Sequence, residues 1–569
     1  MSGLLKNQLL KQLSKFTKNM SADQINLSAM KGEGDLMNLE LDEIVLMNIL
    51  DMPPWIRIYR AFCNKMTIKI QWMKLNTQPI VLHLDEVTVD METCYYRPPS
   101  SSSSSSSRTS SKSAFGTGKY GYIEQVLDGI SVSINAININ FKSLSFQASF
   151  QMSQVAVDSC TPAWRSASLD HTRIKNQSEG SILIFKQVQW QAVRIEANAL
   201  ASWIATTPLR LIANQSKIRV TLKKNLSDSS VLTSRIELHM DDLLWVVTDS
   251  QLFAALSFVQ DLMNIINTHP QLLLKDANPK PNQQQRRKPQ PQKQQTEQHF
   301  HRKGEQYEEL ARQQQQQQHA SLMLFNKFNI SESSCHLIIN RSEVHLSDDA
   351  HQENEGYRSH VEGGAMQLVI IQLEFSYYPW RKAGTSRSGW LHFNECSREA
   401  EMWFNKFLQI DGKLSTCVPS VNDPSRGVAF MMEECVVVSL EDFCLYRVST
   451  QHDKSRSKPK KFLSSDKKRL ILPQDMSTLH VDVTNYTSVG PSSELSSSMF
   501  ITINPICLSV DYLSLVWLHT FILNVMKKAV SFLFLSVCMS LCMYVSVFLC
   551  LSLSHLFNQI IHYIFEAEC

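Results

Sequence analysis

Residues 19–72 read NMSADQINLSAMKGEGDLMNLELDEIVLMNILDMPPWIRIYRAFCNKMTIKIQW, and the order of patterns along this stretch decides the fold. An amphipathic opening reaches a turn at Gly32-Glu33-Gly34. Leu39-Glu40-Leu41-Asp42 follows, then a break at Leu50-Asp51-Met52-Pro53-Pro54, then a run ending in Ile70-Gln71-Trp72 where apolar and polar residues alternate. Paired prolines cannot continue a helix or a β-ladder, so the break separates two elements. Gly32 and Gly34 supply backbone freedom at the turn.

Working outward, the apolar period after Gly34 is two. Met37, Leu39 and Leu41 alternate with polar neighbours, as do Met66, Ile68, Ile70 and Trp72. Ile80, Leu82 and Leu84 follow, then Val87, Val89 and Met91, then Ile130, Val132 and Ile134. Phe146 and Phe150, Val188 and Trp190, Ile218, Val220 and Leu222, and Ile236, Leu238 and Met240 continue the series. This predicts strand after strand with one apolar face. Turns such as Asn76-Thr77-Gln78-Pro79 favour antiparallel neighbours.

A one-faced sheet must have that face covered. Between Gly34 and Thr248 only residues 42–50 have a helical pattern, so helices do not supply the cover. The pattern alone is satisfied by an ordinary sandwich or barrel. That is the reading the pattern alone favours; the alternative is a long curved sheet whose inner face stays apolar and takes its cover from lipid tails, each sheltered methylene contributing about 0.8 kcal/mol.

The stretch from Asn19 through Met91 resembles the N-terminal chorein module of the bridge-like lipid transfer proteins. It is most similar to the third branch of that family, which is named for binding a ubiquitin-like PHD and RING finger protein. The resemblance favours the open trough. It implies a mainly β fold, a repeating β-groove of curved antiparallel sheet with an amphipathic capping helix at the start and a helix closing each unit. It implies a non-enzymatic function: binding glycerophospholipid acyl chains and moving lipids between organelle membranes at contact sites. The implied partners are phospholipids, organelle or vesicle membranes and trafficking proteins of SNARE or small-GTPase type. The implied location is cytoplasmic, peripheral on endosomal or Golgi vesicles. The alternating residues from Met66 to Met240 named above are then the candidate groove lining. A β-rich adaptor in endosomal trafficking that carries no lipid is the competing reading.

Residues 3–18 have a helical stripe of Leu5, Leu9, Leu13 and Phe16, with Lys6, Lys11, Lys15 and Lys18 away from it. The stripe predicts a capping helix whose lysines can face anionic headgroups. Further on, Thr248 and Asp249 introduce a stripe of Leu252, Leu256, Val259, Met263 and Ile266. Ile506, Leu508 and Val510 run into Asp511, and Leu513, Trp517, Phe521 and Val525 follow at helical spacing. Strands, an aspartate and then a helix, used twice, read as two copies of one unit.

The expected organisation is a chorein module over 1–98, a Ser-rich loop over 99–119 and the rest of a first groove unit over 120–268. A Gln/Pro/basic disordered linker over 269–320 and a second groove unit over 321–526 follow. Residues 451–469 are a second basic stretch, read as a surface loop. Residues 527–569 open with Lys527 and Lys528 and are almost wholly apolar over 529–557. They read either as a tail anchor, which would anchor the chain in a membrane, or as the product of a truncated or mis-spliced transcript.

Composition excludes other classes. A net charge of +3 in 569 residues is no signature of a nucleic-acid binder. The 13 cysteines are scattered without a Cys-x-x-Cys, which argues against a zinc site or disulfide framework and for reduced thiols. No cofactor or metal is expected. Leu4 and Leu5 are followed at once by charged and polar residues, so no signal peptide is formed. Gly116-Thr117-Gly118-Lys119 resembles a phosphate loop, but Ser113 stands at the first glycine position and Tyr120 replaces the hydroxyl residue. No hydrolase elbow or metalloprotease motif occurs.

Overall fold

A computed structural model of the chain describes residues 17–18, 32–49, 52, 55–75, 77–93, 126, 128–143, 146–199, 209–248, 251–252, 320–347, 364–382, 384–410, 431–448, 459–467, 476–488 and 495–528. These form one 16-stranded sheet that does not close on itself. Its strands are β1 (Glu33–Glu40), β2 (Ile56–Lys69), β3 (Val81–Thr93), β4 (Ser131–Lys142), β5 (Phe146–Ser159), β6 (Arg173–Asn176), β7 (Ser181–Ala199), β8 (Leu209–Asn225), β9 (Val231–Thr248), β10 (Ser334–Ser347), β11 (Ala365–Lys382), β12 (Met431–Tyr446), β13 (Lys461–Ser465), β14 (Leu479–Ser488), β15 (Leu495–Ile503) and β16 (Ile506–Leu508). Strand order follows the chain, except that the short β6 pairs only with β7 and the sheet forks at β12. One arm of the fork runs through β14 to β15, the other through β13 to β16.

All pairings are antiparallel but two. β3 pairs β4 in parallel, and β9 pairs β10 in parallel. Parallel neighbours need a long crossover connection. The Ser-rich tract lies within the first crossover and the Gln/Pro/basic segment within the second, so the strands flanking each are direct neighbours. Between the two seams lie β4, β5, β7, β8 and β9. From the second seam, β10, β11, β12, β14 and β15 repeat the five-strand count.

A single crease crosses the sheet. The ladder between β1 and β2 passes from Met37↔Lys65 to Leu39↔Cys63 and omits Asn38 and Asn64. The next ladders omit, in turn, Asp85, Asn135, Gln154, Gln191, Gln215, Asp241, Asn340, Gln372 and Glu441, while the register is the same on both sides of each gap. Eleven successive strands thus carry an Asn, Asp, Gln or Glu in one row. Asn38, Gln154, Gln215 and Gln372 adopt positive φ of 55°, 52°, 39° and 52°, a region uncommon for residues other than glycine. Asp85 accepts hydrogen bonds from Asn64 Nδ2 at 2.7 Å and Asn135 Nδ2 at 2.8 Å, and Asp241 accepts one from Asn340 Nδ2 at 2.7 Å. These two bonds, from Asn135 and Asn64, hold the Asp85 carboxyl below its usual range.

The crease resets the pleat. Leu36 and Leu39, three apart, share one buried cluster, as do Cys63 and Met66; Leu84 and Val87 pack on it. Met152 and Val155 share a second cluster with Trp190 and Val193. Two successive residues face away at each crease position while the register carries on unchanged, so paired strands take the step together and neither gains a residue on its neighbour. Because every strand takes this step at the same level, the sheet folds along one line into a trough with two walls. The expectation for β1 is therefore corrected: Leu36 and Leu39 are buried, whereas Met37 is 62% exposed on the outside. The runs ending at Leu84 and starting at Val87 are likewise one strand, not two.

Helices are few among the described residues. Asp42 caps α1 (Glu43–Ile49), its Oδ1 accepting from Ile44 and Val45 N–H at 2.9 and 3.0 Å, as the pattern over 42–50 predicts. Asn394 caps α2 (Glu395–Ile410) in the same way through Ser397 N–H. This helix had no counterpart in the sequence reading, although Cys396, Ala400 and Phe404, all buried, are spaced four apart. α3 (Tyr512–Lys528) follows Asp511, whose Oδ2 accepts from Ser514 N–H at 3.0 Å. At Thr248 and Gln251 each backbone N–H bonds the other's side chain at 3.2 Å, a capping box opening the helix expected there; its stripe beyond Leu252 lies outside the described residues. So do Lys6, Lys11 and Lys15, the segment over 269–319, most of 451–469 and the apolar tail over 529–569. The surface-loop reading of 451–469 is corrected at its end, where 461–465 form β13 between β12 and β16 with Phe462 buried. No helix among the described residues is long and apolar enough to cross a membrane.

Candidate functional site: the inner wall of the trough

The candidate residues fall on the inner face. Met66, Ile68, Ile70, Ile80, Leu82 and Ile130 belong to the buried cluster over β1–β4, with Leu84, Val87 and Val132 packed on it. Val188, Trp190, Ile218, Val220, Leu222, Ile236 and Leu238 belong to the cluster over β5–β10, with Ile134, Phe150 and Met240 packed on it. Val89 and Met91 continue this face of β3 and are half-buried. Phe146 opens β5 opposite Ala199. Trp72 is the exception: β2 ends at Lys69, and Trp72 begins a short 3-10 turn (Trp72–Lys74) instead of extending the strand. Ile70 stays with the cluster through its N–H bond to Gly32 O at 2.7 Å.

Burial is uneven between the walls. On the Ile68 side of the crease most inner side chains are buried by their neighbours and by the segments ending at Ile80 and Ile130, with Leu84, Val132, Ile134 and Met240 half-buried. On the Val89 side, Val89, Met91, Ile137, Ile139, Phe141 and Ile195 are only half-buried. This wall is open to a molecule lying in the trough.

The outer face is polar. Lys65 pairs Asp35 at 3.3 Å, Lys69 pairs Glu33 at 3.6 Å and Arg57 pairs Glu92 at 3.9 Å. Such exposed pairs contribute about 0–1 kcal/mol each and chiefly mark which face meets water. Lys18 belongs here too: it bonds Glu43 in the first turn of α1, which raises its pKa, so it is an intramolecular partner as well as a surface cation.

Sequence reasoning missed one charged group on the inner face. Lys186 and Lys224 share the inward phase of Val188 and Leu222. Lys224 Nζ pairs Asp128 at 2.8 Å and Lys186 Nζ donates to Ile130 O at 2.9 Å. Both lysines are buried. Burial lowers Lys186 to about 7. Together they staple the 128–130 segment to the closed wall. A lysine among alternating valines and isoleucines is the signal that marks the site. On the outer face of β10–β12, Trp390 stacks on Tyr378 at 3.7 Å between ring centroids. Arg387 lies 4.8 Å from the Trp390 ring centroid and pairs Asp482 at 2.9 Å. This buried network fastens the segment before α2 and leaves the trough free. Among the described residues no group of three or more His, Cys, Asp or Glu side chains is placed to hold a metal.

An open sheet, apolar inside and polar outside and repeating in five-strand steps between parallel seams, defines a β-groove protein. The sequence profile described as bridge-like lipid transfer protein family member 3A/B matches residues 1–415 and 407–536, and the chain belongs to that family. It is 37% identical to bridge-like lipid transfer protein family member 3B of Mus musculus over 94% of this chain and 38% of that protein. It is 34% identical to family member 3A of Homo sapiens over 94% of this chain and 39% of that protein. A shorter similarity, 31% identity over 15% of the chain and 2% of the relative, links it to the intermembrane lipid transfer protein vps13A of Dictyostelium discoideum. The chain thus spans about two fifths of the length of the family members it matches.

Proposed function

We propose that this chain carries glycerophospholipids by their acyl chains along the inner face of the sheet and contributes to moving them between membranes at contact sites. The observation that carries the proposal is the predominantly apolar face maintained across eleven strands by the crease, interrupted at one edge by the stapled Lys186 and Lys224. Neither a closed barrel nor a folded-over sandwich leaves such a face open at one wall. Each acyl methylene withdrawn from water contributes about 0.8 kcal/mol, so a two-tailed lipid gains many times RT on entry. Headgroups stay toward water and select weakly. The half-buried Val87, Val89, Ile134, Phe150 and Met240 are the proposed lining, with the buried residues as its floor. The division into units and the attachment to endosomal or Golgi membranes through trafficking proteins belong to the same proposal and rest on the resemblance of residues 19–91 alone.

The test is native mass spectrometry of the purified full chain. Co-purified phospholipid is expected. Val89→Asp with Ile139→Asp should lower it sharply, while Thr88→Asp on the outer face should not. A lipid-free, monodisperse chain would overturn carriage and leave the adaptor reading.

A further inference from the structure

α3 is seated on the surface that the proposal gives to acyl chains. Trp517 and Phe521 are buried in one cluster with Met366, and Leu346 and Leu445 pack on that cluster. Leu346 and Met366 are directly opposed on β10 and β11, and Leu368 is opposed to Leu445 on β12. All these wall residues have the inward phase beyond the crease residues Asn340, Gln372 and Glu441. They therefore continue, on later strands, the open wall that Val89 and Ile139 form on β3 and β4. Where those two are half-buried, Met366 is 1% exposed beneath Trp517, Phe521 and Phe462 of β13, while Leu346 and Leu445 at the edge of the cluster stay half-buried.

The seat is shaped for the helix. A Cβ at Gly364 would lie 2.6 Å from Trp517 Nε1 and 2.8 Å from Val448 Cγ2, so only glycine leaves room for the indole. Ser514, fully buried, donates to Asp511 Oδ2 at 2.6 Å and accepts from Val448 N–H at 3.1 Å. Yet the other side of α3 is apolar as well: Leu515, Ile522 and Leu523 are exposed at 41%, 46% and 37%. A helix permanently docked on one stripe ordinarily carries polar residues on its free side. This one has an apolar free side too, so a lipid tail arriving beside it meets no polar face that must be desolvated.

We propose that α3 is a lid, closed in this conformation, which occupies the acyl-chain wall of β10–β12 and is displaced when lipid tails enter that part of the trough. The inference rests on the acyl-chain reading of the inner face. It adds an internal competitor for that face, held by Gly364, Trp517 and Ser514.

Uptake of a fluorescent-tailed phosphatidylcholine from vesicles by the full chain tests it. Gly364→Ala, which drives the Trp517 ring from its seat, should take up lipid severalfold faster than the unsubstituted chain. Uptake that is unchanged or slower in Gly364→Ala, with the unsubstituted chain loading normally, overturns the lid and leaves carriage standing. No uptake by either chain overturns carriage, and the lid with it. Hydrogen exchange on the unsubstituted chain gives a second measure independent of the variant's folding. Amides of 512–523 should exchange faster when lipid is loaded, and equal or slower exchange overturns the lid.

Discussion

Trp190 and Val193 stand three residues apart on β7 and pack into the same buried cluster, a relationship that a regular strand forbids. A strand alternates faces at every residue, so an odd separation should place them on opposite sides. Gln191 and Ala192 between them both face away, and the strand bends there. Because the ten other strands of the crease do the same at the same level, the bends add into one fold line instead of scattering as local defects.

The crease predicts which substitutions the sheet tolerates. Gln154 holds φ of 52°, where a β-branched side chain is strained. Gln154→Val should lower stability by about 1–3 kcal/mol, seen as an earlier urea midpoint. Gln154→Gly should cost clearly less. Deleting Gln154 should be far worse, since it swings Met152 and Phe150 to the outside and exposes them to water. Equal midpoints for the valine and glycine variants would refute the assignment.

Lys186 sets an alkaline dependence. Its folded pKa, about 7, lies below the unfolded value near 10.5 because burial disfavours the charge. Between these values the unfolded chain binds the extra proton, so stability rises as pH climbs from about 7 toward 10. Lys186→Met should flatten that rise in denaturation midpoints measured at pH 7, 8.5 and 10. An unchanged slope in the variant would contradict it.

His336 acts at the acid end. Its ring nitrogens lie 2.8 Å from Ser376 Oγ and 2.9 Å from Ser334 Oγ, an arrangement suited to a neutral imidazole with one donor and one acceptor. Burial lowers its pKa to about 3. The unfolded chain takes up a proton near pH 6.5 while the folded chain does not, so stability is lost as pH falls from 6.5 toward 3. His336→Gln should make the acid limb of a pH titration shallower; a limb of the same steepness counts against the assignment.

Arg387 should be costly to remove. It pairs Asp482 at 2.9 Å and lies 3.8 Å from Glu433, and all three are buried. Arg387→Met leaves buried Asp482 without its cation, while Glu433 keeps Arg381 at 3.3 Å, a loss of about 3–5 kcal/mol. The thermal midpoint should drop accordingly, with phospholipid retention preserved wherever the chain stays folded, because the network lies behind the trough wall. A stable variant that has lost its lipid would reverse that placement.

Much of this was legible beforehand. The period-two runs placed the strands and grouped Met66, Ile68, Leu82, Val188, Ile218 and Ile236 on the apolar face of each, but alternation alone did not say which face lines the trough, since a one-residue slip exchanges the two. Asp42 and Asp511 announced α1 and α3 because a short acceptor side chain before an apolar stripe satisfies the first free N–H groups. Misread were Met37, taken as inward, and Trp72, taken as strand. Both sit beside a local backbone change that a regular alternation cannot register.

The sequence by itself determined that the chain is built of one-faced strands and, through residues 19–91, which family's module it resembles. It even held the crease in plain view, in steps such as Leu84 to Val87 across Asp85 and Glu86. Only the tertiary structure decided that these steps belong to single strands and line up in one row, that β3 and β9 meet their successors in parallel, and that α3 rests on the inner wall. The reason is physical: alternation is a property of adjacent residues, whereas register, parallel pairing and the seating of a helix join residues tens to hundreds of positions apart, and long-range pairing leaves no period along the chain.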